Sequence, residues 1–240
     1  MHYLWNLVLY RPFVNLLAVL ISIIPGGDVG IAIILLTIIV KAILYPLSQR
    51  ALVGQAKMNR LAPHLNEIKK SGASKEEQAR MTFALYKEHQ ANPFTGCLIQ
   101  IPVIIVIIAL YSAFIRGLNF DSGILYSFVH VPEHLNMHFL GLIDIGAKSW
   151  ILAILAGVSQ YFQAYYMPKP PVSNSGESFQ DSFAKSMNMQ MKYFFPVLIA
   201  FFAYSVSGAL ALYWITSNIF TIGQQIYAAK QDKPIVKVIS

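Results

Sequence analysis

From Val29 to Leu47 the chain reads VGIAIILLTIIVKAILYPL, nineteen residues with a single charge among them. That is close to the roughly 20 residues an α-helix needs to cross a bilayer. Four more runs of the same character follow: Pro93 to Ile115, Trp150 to Met167, Tyr193 to Gly208 and Ala209 to Ala228. Hydrocarbon offers the backbone no hydrogen-bond partners, so a chain patterned this way must satisfy its amides within helices. Composition agrees, because only 12% of residues are charged and 56% are hydrophobic, against about a quarter charged in soluble domains. The reading is an all-α integral membrane protein with five transmembrane helices in one membrane domain.

A sixth apolar stretch, Tyr3 to Ile24, differs in carrying Arg11, Asn15 and Ser22 at intervals of four and seven. These share one helical face, which suits an amphipathic helix lying in the interface. It lacks the basic start and cleavage site of a secretory signal. Residues 1–27 are therefore expected to form an N-terminal interfacial helix ahead of a core at 28–228, with a short basic tail at 229–240.

Orientation follows from the basic residues, which are retained on the cytoplasmic side. Of 18 Lys and Arg, eight lie between Arg50 and Asn92, three between Pro168 and Lys192, and three in the tail. The connection 116–149 has only Arg116 and Lys148, so it is expected to face outward. The spans then alternate with the N-terminus outside and the C-terminus cytoplasmic. The net charge of +7 also favours anionic lipid or ribosomal RNA. Cys97 stands alone, so it can form no internal disulfide and suggests no thiol-ligated metal site. The 168–192 connection contains PKPPVSNSGES, a composition expected of a flexible cytoplasmic loop.

The segment 50–92 reads as a charged cytoplasmic helical hairpin. Leu52, Met58, Leu61, Leu65 and Ile68 fit one helical stripe that Pro63 should kink. Ser74 followed by Glu77 is a capping-box pattern that opens a second helix to about Gln90. Its 43 residues exceed what two adjacent spans require, which favours a docking or gating role.

Lys41 is the thirteenth of the nineteen residues in its run, about 4.5 Å to the cytoplasmic side of its midpoint. Some 10 Å of hydrocarbon would remain, more than the roughly 6 Å lysine stem can span by snorkelling. A charge so placed points to a polar cavity lined by protein. Thr37, Lys41, Tyr45 and Ser48 recur on one face, Gln100 lies on the second span, and Trp214, Asn218, Thr221 and Gln225 form a stripe on the fifth. Such residues also join helices by hydrogen bonds. No acidic residue lies in any of the five runs, so Lys41 has no intramembrane counter-ion there.

The motifs NPFTGCLIQIP and SGALALYW..SN, in this order among five spans and a hairpin, resemble the YidC/Oxa/Alb family of membrane protein insertases. The resemblance runs from about Gly27 to Tyr227. It implies a groove open to the cytoplasm and lipid, which receives nascent membrane segments and releases them laterally into a bacterial inner membrane. It further implies that Lys41 stands where the family usually has arginine, that Gln100 matches the polar groove position, and that Trp214 matches the aromatic one. Lysine keeps the charge but lacks the planar fork that grips carboxylates bidentately. Neither the large extracytoplasmic domain of longer bacterial members nor the long tail of mitochondrial relatives is matched. The expected partners are nascent membrane proteins and the bilayer, with the ribosome and Sec translocon as further candidates and no sequence-specific nucleic acid.

Two other classes fit the sequence less well. A small transporter or channel would also bury a lysine, but would usually show paired ionisable groups or inverted repeats. HVPEHLNMH spaces His130, His134 and His138 by four. That stretch reads as an amphipathic interfacial helix rather than a zinc site. No Walker sequence occurs, and neither catalysis nor a cofactor is expected.

Overall fold

The computed structural model describes residues 6–89, 100–115, 120, 123–130, 134–167, 186 and 189–231. They are mostly helical. A π-helical turn, Asn6–Tyr10, leads into α1 (Arg11–Ile23); α2 (Val29–Ile43) and α3 (Tyr45–Arg60) follow, then α4 (Ala62–Lys70) and α5 (Lys75–Glu88). After α6 (Gln100–Ile115) comes a short hairpin of β1 (His138–Phe139) and β2 (Ile143–Asp144). The last of the described elements are α7 (Trp150–Tyr166), a π turn at Gln190–Phe194, α8 (Phe195–Val206) and α9 (Gly208–Gln231). Each apolar run thus contains one main helix, although Pro93 to Ile99 lies outside the described residues, as does Cys97. Among the described residues no single helix is long and apolar enough to cross a membrane. α2 with the start of α3 would do so only as a pair bent by 63°.

α9 packs against both α2 and α7, and α8 packs against α7. Close approach of α7 to α8 depends on Gly157, where a Cβ would lie 2.9 Å from the Pro196 carbonyl oxygen and 3.0 Å from the Ala200 methyl. Small residues at a crossing let two backbones approach and gain dispersion contact. Leu17, Ala32, Ile33, Leu110, Ile145, Ala156, Ala209 and Tyr213 lie in one buried cluster.

One connection closes the N-terminal ends of two helices. The first amides of a helix have no partner within it. Here the Asp28 carboxylate accepts from Ile31 N at 3.0 Å and from Leu140 N at 2.8 Å, while Val29 N donates to Asn136 O. The same connection serves α9, since Gly208 N donates to Ala147 O and Ala209 N to Ile145 O, both at 2.9 Å. Gly27 has φ +62°, and a side chain there would collide with the His134 carbonyl. His134 to Phe139 is extended and enters β1. The amphipathic helix expected across the histidines is therefore corrected: backbone pairing of Asn136 with Gly27 and Val29 draws this segment straight.

The polar stripe on α1 also has an internal cause. Arg11 Nε donates to Ile124 O at 2.8 Å and its guanidinium lies 5.0 Å from the Tyr126 ring centre. Asn15, 3% exposed, donates to Ile124 O and accepts from Tyr126 N at 2.6 Å. Arg11 and Asn15 are thus turned onto the 123–130 loop, while Ser22 is exposed and donates to Ala18 O, and α1 buries Leu17, Ala18 and Ile21 in the core.

The hairpin forms much as its pattern requires. Ser74 Oγ accepts from Glu77 N at 3.2 Å and opens α5, which ends at Glu88. At Leu61 the first arm divides, with Pro63 in the first turn of α4, where its missing N–H removes no helical bond.

Candidate functional site

Lys41 is placed differently from the sequence expectation. The helix carrying it ends at Ile43, and Leu44 accommodates the bend into α3. Counting from Val29, Lys41 is thirteenth of the 15 residues in α2 and sits in its last turn. Unpaired carbonyls give that end a partial negative charge, which favours a cation. The unbroken helix through Leu47, from which the path of Lys41 to the interface was reckoned, is corrected accordingly.

From α2 the ammonium reaches α9, where Lys41 Nζ donates to Thr221 Oγ1 at 2.9 Å. Thr221 in turn donates to Ser217 O at 2.8 Å. One turn toward the hairpin, Gln224 Nε2 donates to Ser48 Oγ at 2.9 Å, and Ser48 donates to the carbonyls of Leu44 and Tyr45. Two polar ties therefore join α9 to the chain on either side of the bend. Beside them lies an open concavity of about 360 Å³ lined by Tyr45, Ile219, Phe220, Gly223, Gln224 and Tyr227. Its lining is mainly apolar with Gln224 at one edge.

The remaining candidates divide. Thr37 is 2% exposed and donates to Ile33 O one turn back, as buried helical threonines do to satisfy their hydroxyl. Asn218, 6% exposed, donates to Ser159 Oγ at 3.0 Å and to Gln160 Oε1 at 3.2 Å on α7. These two serve packing and are not presented to an open surface, which corrects their expected place on a groove wall. Trp214 is partly buried edge-to-face against Phe202 on α8, with ring centres 6.0 Å apart. For Gln100, which begins α6, the side chain lies outside the described residues.

The stripe Trp214, Asn218, Thr221 and Gln225 is therefore not one wall. α9 runs between neighbours, so Asn218 turns to α7 and Thr221 to α2. Sequence reasoning missed Gln224 and the pair Ser159 and Gln160. Gln224 adjoins Gln225, which falls on the stripe, and QQ offers no periodic signal to choose between them. Ser159 and Gln160 sit in a run too apolar for two polar residues to stand out.

Residues 20–234 match the model of the 60Kd inner membrane protein family. Among curated relatives, a protein of Clostridium tetani named membrane protein insertase YidC is 29% identical over 211 residues, covering 87% of this chain and 85% of that one. Proteins of the same name from Haemophilus influenzae and Pasteurella multocida are 32% and 34% identical over 96% of this chain. The chain spans 39% of the length of those two. With the match reaching from α1 through the whole of α9, this chain belongs to the 60Kd inner membrane protein family.

Proposed function

We propose that the protein is a membrane protein insertase that accepts the polar flank of a nascent membrane segment beside Lys41 and releases the segment sideways into the bilayer. The observation that carries this reading is the Lys41 ammonium held by a neutral hydroxyl, Thr221, on a facing helix. A carboxylate from an entering segment would be a stronger acceptor than that hydroxyl, so the substrate's acidic residue can displace it. Lys41, Thr221, Tyr45 and Trp214 would contact substrate, and Gln100 at the start of α6 is a further candidate. Thr37 and Asn218 support the helices behind them.

The core at 28–228 would span a bacterial inner membrane five times, N-terminus outside and the tail at 229–240 inside, with α3 to α5 in the cytoplasm. The bent pair α2 and α3 supports that placement of the hairpin. The hairpin and the basic tail are the surfaces through which ribosomes would dock, and delivery could be shared with the Sec translocon. No covalent step is involved. A polar site within the inner leaflet shortens the apolar distance an acidic residue crosses, each such residue costing about 2.5 to 3.5 kcal/mol at the bilayer centre. Lateral exit is then driven by burial of the substrate's own apolar surface.

The test is complementation of an insertase-depleted bacterium, reading protease protection of a short single-span substrate with one acidic residue in its translocated flank. Rescue by the wild-type chain is expected. Failure to insert any substrate, with the protein present in the membrane at normal levels, would defeat the assignment.

A further inference from the structure

A second cationic position stands apart from Lys41. Lys192 Nζ lies 5.3 Å from the ring centres of Tyr165 and Tyr193 and 5.8 Å from that of Tyr161. The rings come from two elements, α7 and the π turn that opens α8, and they brace one another, with Tyr161 and Tyr193 centred 6.1 Å apart. Aromatic faces orient an ammonium through their quadrupoles. They bring it no anion, and neither α7 nor the 190–206 segment contains an Asp or Glu. The side-chain hydrogen bond with Tyr193 pushes the Lys192 pKa up, so the positive charge persists through the physiological range.

The surroundings are apolar and exposed. Phe194 is 59% and Phe162 47% accessible, and the caging rings of Tyr165 and Tyr193 are themselves about half exposed. Aromatic residues gathered at one end of a helix pair mark the headgroup level of a bilayer. A fixed cation between helices on the cytoplasmic side is suited to a lipid phosphate. We propose that Lys192 and the rings of Tyr161, Tyr165 and Tyr193 form a binding site for the phosphate of an anionic phospholipid in the cytoplasmic leaflet. This rests on the membrane placement given above. The exposed aromatic surround favours a lipid over a free phosphate, because acyl chains would cover it and an inorganic ion would not. The Tyr193 hydroxyl, which accepts from the Lys192 ammonium, keeps its own O–H free to donate.

The experiment titrates dioleoyl phosphatidylglycerol into the detergent-purified full chain and follows bound lipid by native mass spectrometry. Phosphatidylcholine and inorganic phosphate serve as controls. Lys192→Gln is expected to weaken phosphatidylglycerol binding about fivefold, the worth of one basic residue near an anionic surface. Lys192→Arg should retain it, and Tyr165→Ala should weaken it while Tyr165→Phe changes it less. Lys230→Gln, at the exposed end of α9, should have little effect. Equal phosphatidylglycerol binding by wild type and Lys192→Gln would overturn the proposal. An equal loss in Lys230→Gln, or competition by millimolar phosphate, would also overturn it. Insertion of a neutral substrate into phosphatidylcholine vesicles reports the insertase activity separately, so loss of the lipid site and loss of the function are distinguishable.

Discussion

Replacing Lys41 with methionine keeps most of the stem's volume and removes only the ammonium, which makes it the sharpest probe of the site. In the resting protein the ammonium has one cross-helix hydrogen bond, to Thr221 at 2.9 Å. A hydrogen bond to a charged group is worth about 1.5 to 3 kcal/mol. An entering carboxylate exchanges that bond for a charge-assisted one, so the net gain is a fraction of the stronger bond. Half of it, about 0.75 to 1.5 kcal/mol, corresponds to roughly 4- to 12-fold in rate. Lys41→Met is thus expected to slow insertion of a substrate with one acidic flank residue by about that factor in proteoliposomes. It should leave a matched neutral substrate within twofold. Lys41→Arg should preserve both rates, and Lys41→Glu should fall below Lys41→Met for the acidic substrate alone, because like charges repel. The readout is the initial rate of protease protection at fixed protein density. Equal acidic-substrate rates in wild type, Lys41→Met and Lys41→Glu would remove the charge from the mechanism and leave α2 as a packing element.

Three further outcomes follow from the geometry. Gly157→Leu forces a side chain against Pro196 and Ala200; overpacking of about 1 to 3 kcal/mol should lower the melting temperature in detergent by about 2 to 10 °C, while Gly157→Ala should cost less. Asp28→Ala leaves the Ile31 and Leu140 amides without their carboxylate, each costing about 1 to 3 kcal/mol if it remains buried, and should speed hydrogen exchange across 134–147 before it affects α7. In a Cys97→Ser background, cysteine at Tyr45 should react quickly with a water-soluble maleimide and cysteine at Thr37 or Asn218 slowly, since the first lines the open concavity and the others are buried; fast labelling of all three would restore Thr37 and Asn218 to an open groove wall.

The helices were legible because apolar runs of bilayer length leave the backbone few alternatives, and Ser74 with Glu77 set the start of α5 by local chemistry alone. The break at Leu44 is legible only through Pro46: in a helix running on from Val29 it has no N–H for the Ala42 carbonyl and its ring crowds that oxygen, so the run bends just before it. Arg11 and Asn15 misled for a different reason: periodicity reports which residues share a face but not what meets that face, and their partners lie more than a hundred residues away. The histidine stretch failed similarly, because its extended form is imposed by Gly27 and Val29. At the site, Lys41 stood out as a charge in an apolar run. Its partner Thr221 was among the candidates, but the turning of Asn218 to a different helix becomes visible only once α9 is seen between α2 and α7.

The bend at Leu44 divides the chain mechanically. α3 has 16 residues, an arm of about 24 Å, so a 10° swing about Leu44 would carry its far end about 4 Å. Lys41 lies three residues before the pivot, on a helix whose N-terminal end is pinned through Asp28, and would scarcely shift. What such a swing would strain first is the Gln224 to Ser48 bond, four residues beyond the pivot, at the rim of the concavity. A load pulling on the hairpin would then change the aperture while leaving the charge in place, as a door turns on its post without moving the lock.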